Sequence, residues 1–173
     1  MKQKGFTLVE FMVVTTVMLI LAVFGVPNYL NMVGKSVSTG AADQLMIFLQ
    51  SAKIEAIRER KNIVVCASIN KTSCGSRWDN AIMFVDANKN NAIDSGESIK
   101  KIISFDGGGG LQIKTVDSGL FSYTSLGVLK TGTPEDQVAA EFCSTLNPEQ
   151  SRRVVVGFSE ITINKVKNSA CTR

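Results

Sequence analysis

The chain begins with an almost unbroken apolar run. Between Phe6 and Val26, a stretch of 21 residues, the single charged side chain is Glu10. At a helical rise of about 1.5 Å per residue the run matches the roughly 30 Å hydrocarbon core of a bilayer. It is long enough to cross a membrane. Gly25 and Pro27 then interrupt it, and a proline inside a helix removes one backbone bond and crowds the preceding turn, so a kink or locally melted stretch is expected there. Beyond it Leu30, Val33 and Val37, then Leu45, Phe48, Leu49, Ala52 and Ala56, recur every three or four residues and mark one apolar helix face. Arg58, Arg60 and Lys61 close that helix with charges suited to its C-terminal dipole. Continuous from Phe6 to Arg60, it would be about 80 Å long. No small domain buries such a helix alone. The first half must meet lipid or other subunits, while the Leu45 to Ala56 face packs on the domain. A free-standing coiled coil is opposed by the lack of a sustained heptad.

After Arg60 the period shifts towards two. Apolar and β-branched runs at 63–69, 81–85, 99–105, 111–116, 138–143, 153–158 and 161–166 are separated by Gly, Asn, Asp and Pro. Seven short strands after one long helix predict an α+β fold, with a long N-terminal helix, transmembrane and then amphipathic, packed on a C-terminal antiparallel β-sheet domain. The division read from the sequence is 1–5 leader, 6–27 membrane segment, 28–61 amphipathic half and 62–173 β-rich domain. The glycine run 107–110 is a flexible connection rather than a phosphate loop, because no Lys-Ser/Thr and helix follow it.

Composition changes the picture in two respects. With 173 residues there is room for one modest domain plus the extension, and the apolar share of 45% is ordinary for a globular chain. The complete absence of histidine excludes Ser-His-Asp and Cys-His catalysis and His-ligated zinc or haem. No nucleophile and base stand in a recognisable arrangement, so no enzymatic role is expected. A chain cut after Gly5 would lose two of its 19 basic side chains and none of its 15 acidic ones, leaving a net charge of +2. That is too small to argue for a nucleic-acid partner.

Lys2 and Lys4 precede the apolar run without an early acid, which sets the N-terminus in the cytoplasm and sends everything after Val26 outward, into the periplasm of a bacterium. A secretory signal peptide is the simpler reading, but the basic region is four residues long, no A-x-A site follows, and the run continues into a second helix. A plain anchor leaves Glu10 unexplained, since an acid at the centre of a membrane helix costs about 2.5 to 3.5 kcal/mol.

The segment K-G-F-T-L-V-E at residues 4–10 resembles the leader of type IV pilins and type II secretion pseudopilins. The resemblance implies cleavage by the prepilin peptidase, a membrane aspartyl enzyme, between Gly5 and Phe6, followed by methylation of the new Phe6 amino group. It gives Glu10 a role in subunit assembly. A freed α-amino group, with a reference pKa of about 7.7 to 8.0, is a cation available to Glu10 of a neighbouring subunit, and the pair would satisfy two groups that lipid penalises separately.

Four cysteines allow three pairings, and in an exported chain the local one is expected, with Cys66–Cys74 stapling a hairpin and Cys143–Cys171 tying down the C-terminus. A four-cysteine zinc site is the rival, opposed by the lack of any C-x-x-C pair. Residues 86–97 place Asp86, Asn88, Asn90, Asp94 and Glu97 at positions 1, 3, 5, 9 and 12 of a twelve-residue loop, the spacing of an EF-hand calcium site, with Asn91 in the place of its glycine. The alternative is an Asx-rich hairpin connection whose side chains cap their own backbone. Flanking strands instead of helices favour the latter. No other cofactor is indicated.

Residues 77–97, together with Phe142-Cys143 and residues 152–156, are similar to the FimT/FimU and GspH branch of minor pilins and pseudopilins. This implies a scarce subunit at or near the filament tip that helps start assembly with other minor and major pilins, supporting adhesion and twitching motility. It also implies a single-pass inner-membrane anchor with the domain in the periplasm before assembly. Some FimT relatives bind DNA for transformation through arginines near the C-terminus. The corresponding stretch here, from Gly157 to Lys167, carries Glu160 and Ile161 where those arginines would stand, although Lys165, Lys167 and Arg173 are basic. A type II secretion pseudopilin would share the leader, helix and domain class.

Overall fold

The computed structural model describes residues 7–105, 107–117, 119–130, 137–157 and 160–166. One helix, α1, runs over Leu8–Glu59, 52 residues, and ends where Arg60 turns into the left-handed region at φ 53°. Its backbone stays helical through Pro27, so the stretch is not melted. A proline removes a single N–H from the ladder, and the Asn28 side-chain amide donates to the Phe24 carbonyl at 2.8 Å in the turn that the proline opens.

Among the described residues eight strands follow, in two sheets where the sequence suggested one. Strands β1 (Ile63–Ser68), β2 (Asn80–Val85), β3 (Ile99–Ser104) and β5 (Leu120–Tyr123) form the first, in the order β3-β2-β1-β5. Strands β4 (Leu111–Thr115), β6 (Gln137–Ser144), β7 (Asn147–Val156) and β8 (Ile161–Val166) form the second, in the order β4-β6-β7-β8. Every pairing is antiparallel. The strand missed by sequence periodicity is β5, four residues with Ser122 at a buried position, too short to show an alternation. The glycine run is partly ordered as a 3-10 turn, Gly108–Gly110. β7 starts at Asn147, six residues before its apolar run, because the tight β6–β7 hairpin carries pairing into a polar stretch.

The helix face that packs on the domain is Gly34, Ser38, Ala41, Ala42, Leu45, Phe48, Leu49, Ala52 and Ala56. Leu30 is instead exposed, and Val33 and Val37 only flank the contact. The seam near the domain's lower edge is made of small residues because a strand hairpin lies close against it. A Cβ on Gly34 would sit 3.0 Å from the Asn147 backbone nitrogen and the Ser144 hydroxyl, and Asn147 Nδ2 donates to the Asn31 carbonyl at 3.3 Å. Higher up, Leu45, Phe48 and Leu49 share one core with Val65 and Phe121 of the first sheet and Phe142 and Val154 of the second.

Trp78 joins the two sheets. Its indole N–H donates to the Ala139 carbonyl at 3.0 Å, and its ring stacks on Phe121 with centroids 6.4 Å apart. On the far side of the first sheet Val64, Cys66, Ile82 and Phe84 form a second, smaller core, covered by Ile93 and Cys74 from two loops. That is why β1 and β2 read as continuous apolar runs and not as alternations.

Candidate functional site: the exposed half of the helix

No residue of α1 from Leu8 to Met32 is buried. From Leu8 to Met32 its large apolar side chains are between 40% and 73% exposed, all round the helix. No residue of its most apolar 18-residue window is buried, and by length and composition the helix is able to cross a membrane. The polar groups in this segment are arranged for such a setting. Thr15 donates to the Phe11 and Met12 carbonyls, and Thr16 to those of Met12 and Val13, at 2.9 to 3.1 Å. A hydroxyl bonded back onto its own helix carries no unsatisfied donor into hydrocarbon.

Glu10 differs from these. Among the described residues its carboxylate has no hydrogen-bond or ion-pair partner, while its backbone N–H donates to Thr7 Oγ1 at 3.3 Å. Thr7 is the N-cap. The T-x-x-E spacing from Thr7 to Glu10 is the sequence signal of a capping box. An acid in the first turn is also favoured by the helix dipole. Local structure therefore eases Glu10 into place and leaves its charge facing outward. Gly5 and Phe6, the expected cleavage and methylation positions, lie outside the described residues.

The other candidate residues fall elsewhere. Cys66 and Cys74 form a disulfide with Cα atoms 5.5 Å apart, as the local pairing predicted. Cys143 is buried and disulfide-bonded, and Cys171 lies outside the described residues. Lys165 is on the exposed side of edge strand β8, whereas Lys167 and Arg173 are outside the described residues.

The 86–97 loop is organised by its own donors. Buried Asp86 accepts from the backbone N–H groups of Asn90 and Asn91, both at 3.1 Å. Asp94 accepts from the side-chain amides of Asn88 at 2.7 Å and Asn90 at 2.6 Å. These two bonds, Asn88 first, hold its carboxyl below the usual range. Glu97 accepts from the N–H groups of Ala87 and Asp94. Asn91, in the glycine place, adopts the left-handed φ of 62°. The arrangement is that of the Asx-rich hairpin. These oxygens are turned onto the loop's own N–H groups, and no cluster of three acidic, His or Cys side chains able to hold a metal occurs among the described residues.

With this geometry in view, two sequence profiles match. The family described as Type II transport protein GspH covers residues 41–159, and the Prokaryotic N-terminal methylation motif covers residues 1–26. The chain belongs to the GspH family of minor pilins and pseudopilins. The GspH family is structural and not enzymatic. Among solved structures the fold is similar to that of the type IV minor pilin FimU of Pseudomonas aeruginosa. One FimU crystal form has TM-score 0.53 at 19% identity, over 73% of this chain and 91% of that one. Another has TM-score 0.55 at 19% identity, over 73% and 87%. The minor pseudopilin EpsH of the Vibrio cholerae Type 2 Secretion System aligns at TM-score 0.45 and 11% identity, over 75% and 96%. Comparison with curated proteins finds no match. Membership of the GspH family implies association with other pilins in a pilus or pseudopilus.

Proposed function

We propose that this chain is a FimU-like minor pilin that helps to initiate a type IV pilus and forms part of its tip, supporting adhesion and twitching motility. The observation that carries the reading is the lower half of α1, apolar on every side, with one unpartnered acid in its first turn. Such a segment is insoluble alone and is satisfied first by lipid and then by the helices of neighbouring subunits. In this scheme the prepilin peptidase cuts between Gly5 and Phe6 at the cytoplasmic face of the inner membrane. The Phe6 amine is methylated, and Glu10 pairs with the amine of the adjacent subunit. The domain stands in the periplasm until assembly. There the Cys66–Cys74 bond persists, and Cys143 pairs with Cys171.

Replacing Glu10 with Val tests the assembly role. The variant is expected to accumulate in the inner membrane at normal levels and to be missing from sheared pili. Normal incorporation would remove Glu10 from the mechanism. Deleting the gene tests the system: loss of surface pili and of twitching with protein secretion intact is the expected phenotype. Loss of secretion with normal pili would assign the chain to a pseudopilus. Mass mapping of non-reduced peptides is expected to return a Cys143–Cys171 pair, and a free thiol at Cys171 would refute that bond.

A further inference from the structure

Three connections meet at the end of the domain farthest from the apolar half of α1. The helix ends at Glu59 and β1 leaves from that end. β2, antiparallel to β1, returns there at Val85, β3 departs again at Ile99, and β5, also antiparallel to β1, returns at Tyr123. The α1–β1 turn, the 86–98 loop and the turn after β5 therefore share one surface.

All three are held firmly. Arg60 and Lys89 sit at left-handed backbone positions, φ 53° and 65°, which non-glycine residues adopt uncommonly. In the last turn the Gly127 N–H donates to the Thr124 carbonyl at 2.7 Å, and the Thr124 N–H donates to that of Val128 at 2.8 Å. Gly127, at φ 74°, rests on α1 so closely that a Cβ would lie 2.7 Å from Ile57 Cδ1. This turn presents Leu126 at 80% exposure, with Ile57 beside it at 51%.

Between the connections lies a cleft lined by Arg60, Lys61, Asn62, Asp86, Lys89 and Ser125. Among the described residues none of its three cations enters an ion pair. The acids of this end are engaged: Asp86 and Glu97 accept backbone N–H groups, Asp94 accepts side-chain amides, and Glu59 pairs with Lys100 at 2.6 Å. Their charges persist and break the positive field into separate spots. A nucleic-acid strand, with phosphates closely spaced along its length, needs a continuous basic track. Isolated cations around a cleft, next to a fixed leucine, fit instead a carboxylate carried beside an apolar side chain.

We infer that this end of the domain docks a second pilin-type subunit through a carboxylate set among Arg60, Lys61 and Lys89, with Leu126 as the apolar anchor. The inference rests on the filament reading, since a subunit whose anchor points to the membrane meets at this end those that entered the filament before it.

The test uses the full chain in its own membranes, with photoreactive benzoylphenylalanine placed at Leu126 in one strain and at Leu19, on the exposed helix, in another. The expected result is an adduct at both positions whose captured protein carries an N-terminal methylation motif. Combining R60E, K61E and K89E is expected to cut the Leu126 adduct about tenfold, the combined weight of three exposed ion pairs, and to leave the Leu19 adduct unchanged. Resistance of the domain to limited proteolysis reports that the triple variant is folded, and K61E alone, at an exposed position, serves if it is not. The docking inference falls if the Leu126 adduct survives charge reversal, contains nucleic acid or a protein without the motif, or is missing while the Leu19 adduct forms. If neither position captures a pilin-type protein, the filament reading falls with it.

Discussion

The two halves of α1 share one backbone geometry and meet different surroundings. Below Val33 the helix carries bulky apolar side chains on every side, none of them buried, and meets the domain where Asn147 donates to the Asn31 carbonyl. From Gly34 to Ala56 it has a buried face that begins with small residues and widens to Leu45, Phe48 and Leu49 where the two sheets open beneath it. The upper half is specified by shape complementarity, which tolerates little change. The lower half is specified by solvent preference, which constrains hydrophobicity but not the identity of each side chain. One helix is thus a packed element of a domain along its upper half and, by length and composition, able to cross a membrane along its lower half.

The largest expected effect separates the halves directly. Leu49→Ala should lower the unfolding free energy by about 2 to 5 kcal/mol, because it opens a cavity at a fully buried site. Leu19→Ala, at 65% exposure, should change the stability of the detergent-solubilised chain by less than about 0.5 kcal/mol. Thermal unfolding followed by near-ultraviolet circular dichroism in the same detergent compares them, and equal losses would erase the distinction.

Glycines sharpen the boundary between the halves. Gly34→Val should cost about 1 to 3 kcal/mol, since backbone at Asn147 cannot retreat from the new Cβ without moving the hairpin. Gly25→Ala and Gly40→Ala meet nothing within 4 Å and should be neutral or stabilising by up to about 1 kcal/mol through helix propensity.

A smaller effect lies in the sheet beneath the upper half. Tyr123 is 2% exposed with its hydroxyl unpartnered, and burial raises its pKa well above the ordinary tyrosine value of about 10. The neutral phenol is the folded form. Its contribution is fully present below the unfolded pKa of about 10 and is lost as pH rises beyond it, by about 1.4 kcal/mol per pH unit. Tyr123→Phe should remove this alkaline slope in denaturant titrations and raise stability near neutrality by about 1 kcal/mol. The smallest effect belongs to the lower half. Thr7→Ala should cost about 0.5 to 1 kcal/mol by removing the N-cap, seen as faster amide exchange confined to the first turn of the helix.

Much of this arrangement was legible in sequence. The helix and seven of the eight strands described follow from periods of 3.6 and 2, and the Cys66–Cys74 bond follows from the short spacing of its cysteines. The capping box is also written in the sequence, as the T-x-x-E spacing from Thr7 to Glu10. Residues 86–97 show the opposite limit. Ligand spacing and self-capping spacing are the same string of Asp and Asn, and only the fold reveals which donors those oxygens meet.

By itself, then, the sequence determined a membrane-compatible helix bearing one acid and an α+β domain class, because these depend on composition and local periodicity, while the filament family came from the likeness of its leader and domain motifs to known pilins. Tertiary structure alone decided that there are two sheets, that Gly34 and Ser38 rather than Leu30 carry the lower contact, and that Arg60, Lys61, Lys89 and Leu126 share one surface. Those outcomes depend on which distant segments pack together, and no local pattern encodes that distance.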